Sequence, residues 1–298
     1  MRLALALLVA AALWVQPPAV VPNLKPFKAG VELTSLTATV TDKDGHLITG
    51  LGKEAFELYE DGVRQEVTQF TNERVPIGLG VLLDISDSMF GRRIADARIA
   101  VDRFLFTLLD EQDEFFLVAF NHKARVLTEW TRAHDEVTGA LAALKPSGGT
   151  SIYDAIVEAM PIVEHRHRAR AAIVIISDGA DTASTATLRD VRTALMRSDA
   201  FVYAIAIDSP DPQPINTRVN PQALREITNE SGGSTEIVQS SGDLDAATAR
   251  IAEELNSQYM LGYSSTHGAD GKFHSIRVRV AGSDYRVRAR NGYVADAR

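Results

Sequence analysis

The chain is expected to fold as an α/β protein. Its centre should be a doubly wound, mostly parallel sheet, with a small β-sandwich formed from the N- and C-terminal segments. Three observations predict this. Between Pro76 and Tyr259, apolar runs of strand length alternate with stretches whose apolar residues recur at helical spacing. On either side, shorter segments alternate apolar and polar residues with a period of two. Neither flank is long enough to enclose a core alone, so pairing the two ends is what would stabilise both.

The chain has 298 residues, a formal net charge of −8 and no cysteine. The acidic balance argues against binding to nucleic acid or to an anionic membrane surface, both of which need a basic face. The lack of cysteine excludes disulfide scaffolds, zinc–thiolate sites and thiol nucleophiles. At the N-terminus, Arg2 precedes an apolar run from Leu3 to Val15, followed by Pro17 and Pro18. That run is short for a bilayer span and matches the core of a signal peptide. Residues 1–22 are therefore expected to be a signal peptide or an uncleaved anchor, and the protein to be exported to the periplasm, cell envelope or medium. The expected domains are a β-sandwich from residues 30–75 and 260–296, and an α/β domain from 76–259.

The elements follow in order. Leu33, Leu36, Ala38 and Val40 open three or four antiparallel strands, punctuated by the turn sequences "DKDGH" and "EDG". "IGLGVLLDI" is nearly continuous apolar, the mark of a strand covered on both faces. "RIADARIAVDRFLFTLLD" carries Ile94, Ala97, Val101, Phe104, Leu105 and Leu108 at helical spacing. "EFFLVAFN" and "ARVLTEW" are strands separated by so few residues that they should form a hairpin, giving one antiparallel edge strand. Two helices come next, then strand "AAIVIISDG", a helix, strand "AFVYAIAID", a helix, the short strand "STEIVQ" and a last helix. Near the end, Ile276, Val278 and Val280 should face one side of a strand, and Arg277 and Arg279 the other.

In an open α/β sheet, ligands bind beyond the carboxyl ends of the strands. Three segments fall there. "DISDS" supplies Asp84, Ser86 and Ser88; "SGGTS" supplies Thr150; "ISDG" supplies Asp178. Carboxylate and hydroxyl oxygens are hard donors that suit Mg²⁺, Mn²⁺ or Ca²⁺ rather than zinc or copper. Hydroxyls hold an ion without cancelling its charge, so such a cation would still attract an outside carboxylate. The competing reading makes these residues turn formers and helix caps. It describes Ser151-x-x-Asp154 well as a capping box, so Asp154 is kept out of the site.

Asp84-x-Ser86-x-Ser88, Thr150 in "GGTS" and Asp178 in "SDG" resemble the metal ion-dependent adhesion site of von Willebrand factor type A domains. The resemblance covers roughly Pro76 to Tyr259. The flanking segments, with "GYxS" and "RVRARNGYV", resemble a bacterial exported subfamily of these proteins. The resemblance implies that Ser86, Ser88 and Thr150 bind the ion directly, and that Asp84 and Asp178 act directly or through water. The usual glycine between the serines is Asp87 here.

The implied function is a non-enzymatic, metal-dependent binding module for a protein partner presenting Asp or Glu. The alternatives are a metal-dependent phosphoesterase and an envelope scaffold with an inactive site. His122, His134, His165 and His167 are the histidines that raise catalysis; "EHRHRAR" reads better as a solvated helix end. Arg92 and Arg93 could meet an incoming acid or be ordinary helix-start charges. The proline-bearing loop Asp208–Pro221 should lie on the metal side and shape a partner surface.

Overall fold

The computed structural model describes residues 33–178, 181–208 and 221–295. The N-terminal apolar run and most of the proline-bearing loop lie outside the described residues. Among the described residues, no helix is long and apolar enough to cross a membrane.

The chain begins with β1 (Leu33–Thr41), β2 (Phe56–Glu60), β3 (Val63–Gln65) and β4 (Val67–Thr71). The central unit follows: β5 (Ile77–Asp84), α1 (Arg92–Arg103), β6 (Glu114–Phe120), β7 (Ala124–Thr131), α2 (His134–Ala143), α3 (Ile152–Glu164) and β8 (Arg170–Ser177). It continues with α4 (Leu188–Arg197), β9 (Phe201–Ile207), α5 (Pro221–Ser231), β10 (Thr235–Val238) and α6 (Ser241–Asn256). The chain returns through β11 (Tyr259–Ser264), β12 (Phe273–Val280), β13 (Arg286–Ala289) and β14 (Gly292–Val294).

The central sheet has the order β10-β9-β8-β5-β6-β7. Its strands are parallel except β7, which pairs antiparallel with β6 at the edge, as the short connection requires. Every residue of β5, β6, β8 and β9 is buried, the consequence of helices on both faces. Ile77, Leu79, Val81 and Leu83 pack with α1, α2 and α6. Leu82, Phe116, Ile173 and Val202 pack with α3, α4 and α5. The glycines of β5 make room for rings on that second face: a Cβ at Gly80 would stand 2.3 Å from the ring of Phe116, its partner on β6.

Two details depart from the sequence expectation. The helix opening at Arg92 is regular only to Arg103; residues 104–108 continue as a wider π turn, in which Leu109 N–H donates to Phe104 O at 3.1 Å. Phe104 and Leu105 are both buried there. The capping box at α3 does not form. Ser151 Oγ donates to Asn121 O at 2.6 Å, and the Asp154 carboxylate instead accepts the N–H groups of Thr185 and Ala186 across the neighbouring loop. Tertiary donors outcompete the local cap. α4 does carry such a box, between Thr187 and Asp190.

The flanking strands form two antiparallel sheets, β13-β1-β11-β4 and β14-β12-β2-β3. They face each other through Leu36, Ala38, Leu58, Leu261, Ile276 and Val278. As expected, Ile276, Val278 and Val280 point inward and Arg277 and Arg279 outward. Each sheet combines strands from both ends of the chain, alternating in the first and paired through β12 and β2 in the second, so the sandwich closes only when the chain has returned through β11.

A buried polar network joins the sandwich to the α/β unit. Glu254 on α6 accepts from Thr39 Oγ1 on β1 (3.1 Å), from Tyr203 OH on β9 (2.7 Å) and from Arg288 on β13. Arg170 on β8 donates to Leu255 O and Gln258 Oε1. These groups satisfy one another's hydrogen bonds at the joint, with Arg288 closing it from a part-exposed position.

Replacing Gly80 with alanine forces either Phe116 or the backbone to move. Gly80→Ala should destabilise the chain by about 1–3 kcal/mol, the usual result of overpacking, read by chemical denaturation. A wild-type unfolding midpoint would show that the sheet core is looser than described.

Candidate metal centre

The sheet order places the site. β5 connects to β6 on one side, while β8 joins it on the other, so the strand order reverses at β5. Asp84 is the last residue of β5 and Asp178 follows the last residue of the adjacent β8. Both carboxylates are fully buried.

Beyond Asp84 the chain turns sharply. Asp84 Oδ1 accepts Ser86 N–H at 2.8 Å, the local bond by which aspartate begins a turn. Ile85 and Met89 are fully buried and anchor the loop in the core. Ser86 and Ser88, on the alternate positions, bring their hydroxyl oxygens within 3.0 Å of each other. Ser88 Oγ donates to Asp178 Oδ1 at 2.7 Å. Gly91, at φ +78°, then lets the chain enter α1.

The third loop is tied in by backbone. Asp87 N–H donates to Gly148 O at 2.9 Å, and Ser147 N–H to Ile85 O at 2.8 Å. Thr150 is buried, its N–H on Thr182 Oγ1 and its carbonyl accepting from Thr182 and Ala183. The structure thus links Asp84, Ser86, Ser88 and Asp178 by side chains, and brings Thr150 alongside through its loop.

Two participants were not assigned from sequence. Ser177 Oγ donates to Asp84 Oδ2 at 2.6 Å, a role hidden in an otherwise apolar strand. Arg93 is buried and pairs with Asp178 Oδ2, while also donating to Ser88 O. Its guanidinium meets an internal acid; Arg92 is the exposed one of the two, near Asp96. His165 and His167 are exposed at the end of α3, His134 stacks on Phe115, and exposed His122 lies over Gly148.

The electrostatics are unbalanced. Asp84 is held by neutral donors, and burial pushes its carboxyl up to about 7. Burial also raises Asp178, against the opposing pull of Ser88 and Arg93. A hard divalent cation fits this donor set. An octahedral shell at about 2.0–2.1 Å has edges of about 3 Å, close to the 3.0 Å between the serine oxygens and the 2.7 Å from Ser88 to Asp178.

Residues 79–180 match the family model of the von Willebrand factor type A domain. No curated protein matches the chain by sequence. Among solved structures, BatB from Bacteroides thetaiotaomicron is 21% identical at a TM-score of 0.51, over 60% of this chain and 98% of that one. A von Willebrand factor type A protein from Catenulispora acidiphila is 13% identical at a TM-score of 0.53, over 89% of this chain and 75% of that one. Proximal thread matrix protein 1 from the mussel byssus, with a zinc-occupied MIDAS motif, is 14% identical at a TM-score of 0.51, over 66% and 49%. At such identities the likeness is one of fold.

The raised Asp84 has a consequence for stability. Its folded value, about 7, lies above the 3.8 of an ordinary aspartate, so the metal-free fold holds the proton more tightly than the unfolded chain. That contribution is complete below the unfolded value and is lost as pH rises through the folded one. In chelator, Asp84→Asn should therefore lose less stability than wild type as pH rises between 3.8 and about 7. Urea denaturation of both proteins across that window checks this, and parallel curves would contradict it.

Proposed function

On the premise that the chain carries a von Willebrand factor type A domain, we propose that it is a non-enzymatic binding module that captures a protein carboxylate through a divalent cation. In this reading Asp84, Ser86, Ser88, Thr150 and Asp178 hold Mg²⁺, with Mn²⁺ or Ca²⁺ as substitutes. The α/β domain spans residues 76–259, and the sandwich of 30–75 and 260–296 carries it. Export to the periplasm, envelope or medium belongs to the same reading.

The observation that carries it is the burial of two carboxylates beside two serine hydroxyls, with Arg93 paired to Asp178. Once Asp84 is ionised, the two acids carry more charge than the Arg93 guanidinium offsets. A cation offsets that charge, and its outward position would accept an Asp or Glu side chain. The zinc-occupied motif of the mussel protein supports the capacity of this fold to hold a metal at such a place.

The surface beside the cluster suits a partner. Phe90 is 71% exposed two residues after Ser88, and Arg92 is exposed next to Gly91. Exposed aromatic and arginine side chains are the usual anchors of protein interfaces. Against hydrolysis of phosphate esters, Arg93 is committed to Asp178 and so is not a clamp for phosphate.

The test separates ion from partner. Isothermal titration should show one Mg²⁺ or Mn²⁺ site that Ser88→Ala weakens and Phe90→Ala leaves unchanged. Affinity capture from envelope extract should yield a partner released by chelator. Phe90→Ala should weaken that partner by more than about 1 kcal/mol, as a buried aromatic anchor does. A partner retained equally in chelator would overturn the proposal.

A further inference from the structure

A second cluster lies in the sandwich, where the turn between β2 and β3 meets the β11–β12 connection. Asp61 and Gly62 form that turn with φ of +48° and +80°, the geometry of a two-residue hairpin. It directs the Asp61 carboxylate toward two imidazoles. Asp61 Oδ2 lies 2.8 Å from His274 Nδ1 and 3.4 Å from His267 Nε2. One ligand atom from each of the three residues lies within 4.8 Å of the other two.

We propose that Asp61, His267 and His274 bind a transition-metal cation of the zinc class, with Glu60 forming the inner wall of the site.

Four observations argue for it. Tetrahedral zinc with bonds of about 2.0–2.1 Å sets its ligand atoms about 3.3 Å apart. The 2.8 and 3.4 Å separations bracket that distance, and His267 Nε2 stands 3.9 Å from Glu60 Oε2. The outer partners are also in place. His274 Nε2 faces Asp270 Oδ1 at 3.1 Å, the carboxylate–histidine arrangement that orients a metal-bound imidazole. Asp61 Oδ1 accepts both Ser275 N–H and Ser275 Oγ, which fixes the direction of Oδ2.

Third, the imidazole rings stack with centroids 4.0 Å apart. The stack brings His267 Nε2 and His274 Nδ1 to the same Asp61 oxygen. Fourth, Glu60 is an inward-facing carboxylate with no side-chain exposure; among the described residues Tyr263, Tyr293 and Ser265 donate to its Oε1, and Ser265 to Oε2. Nitrogen and oxygen donors together favour zinc-class ions over Mg²⁺, which separates this site from the oxygen-only cluster of the α/β unit. A metal here would clip the N-terminal hairpin to the C-terminal strands.

The competing account is an ion pair, with His274 bridging Asp61 and Asp270 and no metal. ZnCl₂ titration and Co²⁺ absorption, in excess Mg²⁺ to occupy the oxygen-only cluster, decide between them. Wild type should take up one zinc and give the visible absorption of four-coordinate Co²⁺. Asp270→Asn should weaken zinc by about 10–100-fold, as loss of an outer partner does, and His267→Ala by more. His267 is 37% exposed, so its replacement leaves the core intact. Failure of wild type to bind zinc under these conditions, or unchanged zinc affinity in His267→Ala, would overturn the proposal.

Discussion

Two carboxylates end neighbouring strands inside a sheet that helices cover on both faces. Removing a carboxylate from water costs several kcal/mol unless a counter-charge or strong donors replace the lost hydration. The local architecture answers that constraint. Ser177 and the Ser86 amide hold Asp84, Ser88 and Arg93 hold Asp178, and the serines lie between them. Ile85 and Met89 keep the loop pressed against the core, so these contacts do not relax toward solvent. With Asp84 ionised, the Arg93 guanidinium does not neutralise both acids, and hard-oxygen surroundings suit a small cation as the remaining counter-charge.

The same logic governs the joint between the two parts of the molecule. Glu254, Tyr203, Thr39 and Gln258 are polar groups removed from water at the contact of α6, β9 and β1. Each depends on a partner from a distant part of the chain, and Arg288 closes the ring from β13. The sandwich is therefore more than a tether. Removing its strands would leave buried donors and acceptors on the α/β unit without partners, a larger penalty than the loss of surface contact alone.

Much of this was legible in the sequence because the constraints are local and periodic. Unbroken apolar runs announced the covered strands β5, β8 and β9; the short link after Phe120 announced the antiparallel edge; and alternation from Ile276 to Val280 gave the inward face of β12. The expectation that both ends of the chain build one sandwich agrees with the sheet orders. What escaped notice depends on contacts between distant residues. Ser177 looks like one polar residue in an apolar strand, and nothing near it reveals Asp84 opposite. Arg93 and Arg92 are neighbours of identical type, yet the helix start turns one into the core and the other to solvent. Ser151 and Asp154 have the spacing of a capping box, but partners across the loop claimed both. His267 and His274 carry no motif, and meet Asp61 only because the ends of the chain pair.

The central claim is that the oxygen cluster at the ends of β5 and β8 coordinates a hard divalent ion. A crystal structure grown with Mn²⁺ and phased for its anomalous signal tests this most directly. The account places a single manganese peak among Ser86 Oγ, Ser88 Oγ, the Thr150 hydroxyl and the Asp84 and Asp178 carboxylates, with Arg93 still paired to Asp178. An anomalous map with no peak there, in a crystal whose three loops are otherwise as described, would contradict it.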